Sequence, residues 1–390
     1  MIPDLLLQSL PADIGTATLV GRVWVMGEGP VLVRVDAQGV HDLSGLVPTC
    51  TELLELHDPA EAVRAYAAPL IAGLESVLVN SAPDARDPTV PWLLAPCDLQ
   101  AVKAAGVTFV ASMLERVIEE QARGDPAQAE SVRQAVTAVI GDDLAAIRPG
   151  SPEAAQLKAV LLARGMWSQY LEVGIGPDAE IFTKAQPMSA VGSGSQVGIH
   201  PGSEWNNPEP EVVLAVNSRG EVQGATLGND VNLRDFEGRS ALLLGKAKDN
   251  NASCAIGPFI RLFDRYFGID DVRNLELSLH VQGPEGFDLH GSSSLARISR
   301  DPLDLVAQAC GEHHQYPDGF MLFLGTMFAP TQDRFAPGQG FTHLSGDVVS
   351  IANPRLGTLV NQVVTSDRAP AWRYGTAALM RDLARRGLLT

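Results

Sequence analysis

Several signatures that would assign the chain to a well-known class are missing from its sequence. The four cysteines, at positions 50, 97, 254 and 310, form no C-x-x-C pair. They therefore indicate neither a zinc knuckle nor a disulfide framework, and they fit a reducing compartment. The sequence also contains no HExxH and no GxSxG motif, and the glycine-rich run VGSGSQVG at 191–198 lacks the lysine of a P-loop. Zinc peptidase, serine hydrolase and P-loop chemistry therefore have no support.

Positive charge is scarce as well. The chain has 29 lysines and arginines against 46 acidic residues, which gives a formal net charge of -17. Nucleic acids and anionic membranes both need a basic face, so neither is an expected partner. No apolar run is long enough to span a bilayer, and the first residues, MIPDLLLQSLPADIG, lack the basic segment of a secretion signal. These absences predict a soluble, cytoplasmic protein.

The N-terminal part of the chain has the pattern of a small mixed domain. A length of 390 residues allows one large core and a smaller domain beside it. Short strands are predicted at 17–25 and 31–35, and a helical pattern runs from Thr51 to about Leu74. The proline-rich stretch at 81–91 is typical of a boundary. We therefore predict an α/β domain over residues 1–92 and a catalytic domain over 93–390.

The second domain combines a helical insertion with many strands. A helical block is predicted from about Ser112 to Arg164. Its sequence contains residues typical of helix ends, including Pro152 after the capping residue Ser151 and the terminal Gly165. Strands with glycine and proline turns follow, up to a final helix that begins near Thr376. The predicted fold class is α+β and rich in strands.

The acidic residues Glu209, Glu211 and Asp230 carry the strongest indication of function. Side chains alternate along an extended segment, so Glu209 and Glu211 point to the same face. The chain between Glu211 and Asp230 resembles a hairpin with a polar turn. A two-residue loop of Arg219 and Gly220 places Asp230 opposite Glu209, whereas a three-residue loop would shift the register by one.

Three carboxylates that meet in one place repel one another unless a cation lies among them. A hard divalent ion, Mg2+ or Mn2+, is the usual partner of such oxygen ligands. The alternative is that these acids are solvated, as most of the 46 acidic residues must be. The segment after Glu211 is apolar on both faces, which indicates burial and favours a cation partner. Pro210 cannot donate to a β-ladder, so an edge strand or a bulge is expected there.

Three other positions could carry chemistry. Lys248 in the polar run KDNNASC could accept a proton or stabilise an enolate if it lies beside a metal, or it could be a surface lysine. Glu180 lies between apolar residues and could be a general acid or base, or cap a turn. Gly325 and Thr326 follow the apolar run FMLFL and could offer an amide and a hydroxyl to a bound carboxylate, or simply end a strand.

Taken together and in order, four segments of the sequence resemble the fumarylacetoacetate hydrolase superfamily. They are EPEVV at 209–213, GNDVNLRD at 228–235, KDNNASCAIGP at 248–258, and GT at 325–326 with GD at 346–347. The resemblance covers roughly residues 97–390. It implies a β-sandwich roll and an assembly that is at least a dimer, namely a homodimer or homotetramer.

The resemblance also assigns roles to individual residues. It implies that Glu209, Glu211 and Asp230 hold Mg2+, that Lys248 lies beside a 2-oxo acid substrate, and that Thr326 binds the carboxylate end of that substrate. Within the superfamily the chain looks closest to enzymes that dehydrate 2-dehydro-3-deoxy-D-pentonates to 2,5-dioxopentanoate in non-phosphorylating pentose oxidation. In that group the acid at the position of Glu180 is assigned to proton transfer.

The sequence differs from the superfamily pattern at one position that bears on whether the chain is a hydrolase. The hydrolases carry a His-x-x-Glu pair, and here the run GVTFVASMLE at 106–115 puts Ser112 at the histidine position while Glu115 is kept. We expect both residues to contact the substrate. Without the histidine, activation of a water molecule loses its general base, which disfavours hydrolysis. The alternatives are an acylpyruvate hydrolase or oxaloacetate decarboxylase of the same superfamily, and a non-catalytic sugar-acid binding protein.

Overall fold

Two large β-sheets pack against each other and position the site. The structure, a computed structural model, describes residues 2–109, 113, 117, 147–163, 165, 167–326, 328, 330, 332–336 and 340–389. Side chains from both sheets share one hydrophobic cluster, with Val212 and Leu227 from the first sheet and Leu279 and Ile351 from the second. The predicted strand-rich α+β fold is confirmed.

The strands are short, as expected for a chain with many glycine and proline turns. Their bounds are β1 Leu19–Val25, β2 Gly29–Val35, β3 Gly39–Asp42, β4 Leu70–Gly73, β5 Trp92–Leu94, β6 Ala101–Gly106, β7 Glu180–Ala185, β8 Gln196–Ile199, β9 Asn206–Asn207, β10 Pro210–Val216, β11 Val222–Asp230, β12 Asn232–Leu233, β13 Cys254–Leu262, β14 Glu276–Gln282, β15 Asp288–Ser294, β16 Phe320–Phe323, β17 Val348–Asn353 and β18 Gly357–Thr365. The first sheet has the order β4-β3-β2-β1-β13-β11-β10-β16-β6-β7, with β5 paired to β1, and the second has the order β15-β14-β17-β18-β8.

The helices are mostly one to three turns long. Their bounds are α1 Ile2–Leu6, α2 Cys50–Leu54, α3 Pro59–Ala65, α4 Leu74–Asn80, α5 Pro152–Ala163, α6 Gln169–Ile175, α7 Arg234–Glu237, α8 Leu244–Lys248, α9 Ile269–Val272, α10 Pro302–Ala309 and α11 Thr376–Arg385. No helix among the described residues combines the length and the apolarity that a bilayer crossing requires.

The first sheet continues across the predicted domain boundary. Strand β1 pairs with β13, with Leu19 opposite Arg261, so N-terminal and C-terminal strands share one ladder. Strand β4 interrupts the helical pattern expected from Thr51 to Leu74, because residues 70–73 pair with β3 at the end of the sheet instead of extending a helix. The division at residue 92 stays a prediction, and the two segments are joined by backbone hydrogen bonds.

The helical insertion is described only at its C-terminal end. There, α5 begins at Pro152, and the Ser151 hydroxyl accepts a hydrogen bond of 3.1 Å from the Ala154 amide, as the capping pattern predicts. Gly165 follows with φ of +68°, a left-handed conformation that favours glycine after a helix. The rest of the predicted insertion, including most of residues 112–146, lies outside the described residues.

The hairpin that carries the acidic residues has the predicted register, but its loop differs from the predicted one. The loop contains three residues, 218–220, since Val216 pairs with Val222. A bulge then adds Gln223 to the second strand, so Ala215 pairs with Gly224 and the remaining pairs follow the register of a two-residue loop. The two-residue loop was therefore wrong, but the bulge compensates for the extra residue. Pro210 pairs with Asn229, and the amide of Asp230 donates to the Glu209 carbonyl at 3.0 Å.

The expectation that Pro210 lies at an edge is confirmed for this end of the strand, although the strand as a whole has a neighbour on each side. Strand β10 lies inside the sheet between β11 and β16, and its bulge is at the opposite end. Proline is tolerated because β16 pairs only with residues 213–216 of β10, so no neighbour needs an amide hydrogen at position 210. After β16, the Leu324 amide donates to the Val212 carbonyl at 3.1 Å and the Gly325 amide donates to the Glu211 carboxylate.

Gly228, which faces Glu211 across the hairpin, provides a test of this packing. A Cβ atom at this position would lie 2.3 Å from the Phe323 ring and 2.6 Å from a Val213 methyl group. We expect Gly228→Ala to lower the free energy of unfolding by about 1–3 kcal/mol, because the core must shift to accept the methyl group. Gly245→Ala in α8 is the matched control, since nothing lies within 4 Å of its added Cβ. Equal stability of the two variants in denaturant unfolding would contradict the described packing.

Candidate metal centre and active site

Strands β10 and β11 bring three buried carboxylates together at one end of the hairpin. Ligand oxygens of Glu209, Glu211 and Asp230 all lie within 4.8 Å of one another. Their residues are only 5%, 2% and 1% exposed. The convergence predicted from the hairpin register is therefore confirmed, and the alternative of solvated surface acids is wrong.

Hydrogen bonds from neighbouring groups fix the orientation of two of these carboxylates. The Gly325 amide donates to Glu211 Oε2 at 2.6 Å. The Asn232 side chain donates to Glu209 Oε1 at 3.1 Å. The Glu209 amide in turn donates to the side-chain oxygen of Asn229 at 3.2 Å. Because these bonds hold one oxygen of each glutamate, the carboxylates are oriented before any ligand arrives.

Lys248 lies among the acidic residues, at the place beside a possible metal that the sequence left open against a surface position. It is the last residue of α8 and is 3% exposed. Its ammonium group donates to Glu209 Oε2 at 2.7 Å and to Asp230 Oδ2 at 3.2 Å. It also lies 5.6 Å from the centre of the Phe182 ring. The alternative of a surface lysine is therefore wrong.

A second buried lysine, Lys184, was missed by the sequence interpretation. Its ammonium group lies 2.7 Å from Asp230 Oδ1, and it donates to the carbonyl oxygens of Lys248 at 2.7 Å and Val231 at 3.1 Å. Three partners satisfy the three hydrogens of a lysine side chain. Lys184 thus joins the end of α8 to the Asp230 carboxylate.

A bulge in β7 explains why Lys184 was not found. Thr183 pairs with Lys103 and Ala185 pairs with Val102, so Lys184 is the extra residue between two ladder pairs. Bulges redirect one side chain and are common next to sites. Thr183 is exposed whereas Lys184 is fully buried, which shows the change in direction. Strict alternation cannot locate such a position, although a lysine within an apolar strand is a usable signal.

The pKa values of Glu211 and Asp230 are shifted in opposite directions. Burial raises the pKa of the Glu211 carboxyl well above its ordinary value of 4.5, and the charges of Asp230 and Glu209 raise it further. Burial also acts to raise the pKa of Asp230, but the ammonium groups of Lys184 and Lys248 outweigh it, and that pKa is lowered. Asp230 is therefore the ionised partner of the lysines, and Glu211 holds its proton more strongly than Asp230 does.

The carboxylates line a small cavity of about 30 Å³. This volume is enough for an ion with about two water molecules, so a five-carbon substrate would have to extend beyond it. Lys248, Phe182, Thr326, Glu180 and Glu237 also line it. The cavity therefore brings the predicted acid or base Glu180 to the carboxylate trio. Glu237 was not singled out in the sequence, although it follows the GNDVNLRD segment by two residues.

Glu180 owes its place to a glycine on the neighbouring strand. It begins β7 and pairs with Gly106 of β6. A Cβ atom at position 106 would lie 2.0 Å from the Glu180 carboxylate. Because glycine has no side chain, the carboxylate can lie across β6 at the cavity wall. Glu180 thus begins a strand and lines the cavity, and its role as general acid or base stays a prediction.

Gly325 and Thr326 both line the cavity, and the Gly325 amide already has a partner there. The Gly325 amide was expected to bind a substrate carboxylate, but it is used by Glu211, because the chain leaves β16 directly beside that side chain. The Thr326 hydroxyl accepts from the Phe328 amide at 3.1 Å and donates to the Phe328 carbonyl at 3.2 Å. Thr326 lines the cavity, and its contact with a substrate stays a prediction. Ser112 and Glu115 lie outside the described residues.

Comparison with known proteins identifies related chains. The family described as "Fumarylacetoacetate (FAA) hydrolase C-terminal" matches residues 168–364. A probable 2-keto-3-deoxyxylonate dehydratase of Haloferax volcanii is 31% identical over 200 residues, which are 51% of this chain and 65% of that protein. A 2-dehydro-3-deoxy-D-arabinonate dehydratase of Saccharolobus solfataricus is 30% identical over 184 residues, 47% of this chain and 58% of that protein. The chain thus spans less than two thirds of either curated relative.

The fold has a solved counterpart. A crystal structure described as 2-keto-3-deoxy-D-arabinonate dehydratase complexed with magnesium and 2,5-dioxopentanoate superimposes with a TM-score of 0.62 at 19% identity. The superposition covers 89% of this chain and 99% of that one. At this identity the likeness establishes a shared fold. The family match spans about half of the chain and contains the three carboxylates and both lysines, so the chain belongs to the fumarylacetoacetate hydrolase family.

Proposed function

We propose that this protein is a Mg2+-dependent dehydratase that converts a 2-dehydro-3-deoxy-D-pentonate into 2,5-dioxopentanoate, also called 2-oxoglutarate semialdehyde. The observation that carries the proposal is the convergence of Glu209, Glu211 and Asp230 with Lys248 on a cavity that Glu180 also lines. The names of the two curated relatives support the same chemistry and substrate class. The cytoplasmic location and the homodimer or homotetramer stay predictions.

The donor set fits a hard divalent cation. All three candidate ligands are carboxylates, the oxygen donors that Mg2+ and Mn2+ prefer. Three ionised carboxylates beside two ammonium groups leave one excess negative charge, and the raised pKa of Glu211 reflects this repulsion as well as burial. A divalent ion held by Glu209, Glu211 and Asp230 removes the repulsion. When bound, it supplies a Lewis acid that polarises a 2-oxo group and acidifies the adjacent C3 protons.

The side chains of the protein then have to move two protons. One of the pair Lys248 and Glu180 takes a proton from C3, and the other gives a proton to the C4 hydroxyl, which leaves as water. The C3–H and C4–O bonds break and a C3–C4 double bond forms. The product still has its C5 hydroxyl, and a proton shift from C5 to C3 gives an enol that tautomerises to the aldehyde. One water molecule is lost overall, with no oxidant or reductant.

Lys248 and Glu180 differ in how readily each can accept a proton, because their surroundings differ. The Lys248 ammonium group is held by two carboxylates, Glu209 and Asp230. It can act as a proton acceptor only after it gives up a proton, whereas ionised Glu180 can accept one directly. Thr326 lines the same cavity and is the proposed contact for the carboxylate end of the substrate.

Product analysis tests the proposed reaction. With Mg2+ and 2-dehydro-3-deoxy-D-pentonate, the same compound whether it derives from D-arabinonate or D-xylonate, we expect an aldehyde that an NAD(P)-linked aldehyde dehydrogenase oxidises. Glu209→Gln and excess EDTA should each remove turnover. Release of pyruvate or CO2 would contradict dehydration in favour of the hydrolase or decarboxylase, and saturable binding without substrate loss would support a binding protein.

The same reaction in D2O assigns the two proton carriers. A variant that lacks the base should neither exchange C3 protons nor form product, because the first bond cleavage needs that group. A variant that lacks only the acid should still exchange C3 protons while elimination is slowed, by roughly 100-fold or more. Glu180→Gln and Lys248→Met keep side-chain size while removing the acid-base group. Unchanged turnover in both variants would exclude these residues as proton carriers.

Metal binding should release a proton and strengthen as pH rises. In the metal-free protein, burial and the neighbouring carboxylates keep Glu211 protonated above its ordinary pKa of 4.5. A metal ligand must be ionised, so the cation displaces this proton, and affinity increases until the pH exceeds the raised pKa. Calorimetric titration with Mg2+ in buffers of different ionisation enthalpy measures the released proton.

Glu211→Gln provides the control for this measurement, because an amide has no proton to lose. The variant should bind the metal more weakly and without proton release. An affinity for Mg2+ that does not change with pH in the unaltered protein would show that Glu211 is not the group that titrates.

A further inference from the structure

Two histidines and an aspartate converge on the outer face of the β14–β15 hairpin, in the second sheet. His280 lies directly opposite His290 in the antiparallel ladder, and Gln282 lies opposite Asp288. Asp288 and His290 are two residues apart on one strand, so their side chains share the face on which His280 lies. Alternate residues such as Leu279 and Leu289 point the other way, into the core.

The side-chain atoms meet as well as the strands. His280 Nε2 lies 2.5 Å from Asp288 Oδ1, and His290 Nε2 lies 3.0 Å from Asp288 Oδ2. The two imidazole rings stack with centres 4.2 Å apart and an angle of 14° between their planes. A ligand atom from each of the three residues lies within 4.8 Å of the other two.

The geometry points to a transition-metal site formed by His280, Asp288 and His290, separate from the carboxylate trio on β10 and β11. Imidazole nitrogens and one carboxylate suit Zn2+, Cu2+ or Ni2+, whereas Mg2+ prefers oxygen ligands alone. Metal–ligand bonds of about 2.0–2.1 Å separate neighbouring ligands in a tetrahedral site by about 3.3 Å. The present separations of 2.5 and 3.0 Å must widen, and the stacked rings must tilt towards each other so that both Nε2 atoms face one ion.

The imidazole protons that face the Asp288 carboxylate do not prevent a metal ion from binding. A neutral imidazole carries its single proton on either nitrogen, so each ring can move it to Nδ1 and offer Nε2 to a metal without net proton release. Three protein ligands leave a fourth position for water.

The scaffold beneath the three side chains restricts their movement. Strand β14 pairs with β15 on one side and with β17 on the other, so His280 lies opposite both His290 and Ser350. Leu279, Val281 and Leu289 are at most 1% exposed and anchor both strands. A site built on paired strands is more precisely placed than one on a loop, and less entropy is lost when a metal binds.

A titration with Zn2+ tests the proposal. The full-length protein is held in saturating Mg2+, which occupies hard oxygen sites, and binding is followed by calorimetry and by the imidazole 15N signals. We expect one Zn2+ per chain and a shift of two imidazole signals among the eight histidines. His290→Ala and Asp288→Asn should weaken binding by about tenfold or more, since even an indirect contact to a ligand is worth that much.

His313→Ala is the matched control, because His313 is an exposed histidine far along the chain from this hairpin. It should bind Zn2+ like the unaltered protein. Circular dichroism checks whether the two site variants keep the fold, as we expect because Asp288 and His290 are exposed. Unchanged Zn2+ affinity in both site variants, or no Zn2+ binding while Mg2+ is bound, would overturn the proposal.

Discussion

The site depends on one electrostatic constraint, which is that three buried carboxylates cannot all be ionised side by side without positive charge among them. The structure answers this in part with two lysines. Lys184 and Lys248 neutralise Asp230 and Glu209, while Glu211 is left to hold its proton. A divalent cation would allow Glu211 to be ionised as well, and this is the physical reason for proposing metal-dependent chemistry.

Two departures from regular pairing create this arrangement. The bulge at Gln223 restores the register that brings Asp230 opposite Glu209, and the bulge at Lys184 turns an ammonium group towards Asp230. Neighbouring strands add the rest, since β16 ends where the Gly325 amide can hold Glu211, and Gly106 leaves room for Glu180. The catalytic proposal therefore rests on backbone geometry as much as on the identity of the acids.

Sequence reasoning succeeded where a short-range pattern fixes the outcome. Alternation placed Glu209 and Glu211 on one face, and the hairpin brought Asp230 to them. Sequence reasoning failed where an irregular backbone feature sets the strand register. The three-residue loop shifts the register by one residue, and the bulge shifts it back. Lys184 was missed for the same reason. The interior position of β10 depends on β16, which joins it from more than 100 residues away, and no local pattern reports such pairing.

Crystals grown with Mn2+ provide the most direct test of the account, because this ion prefers the same oxygen ligands and can be located by its anomalous scattering. The account predicts a peak within about 2.0–2.6 Å of carboxylate oxygens from Glu209, Glu211 and Asp230. Carboxylates that point apart into solvent, with no peak between them, would contradict it.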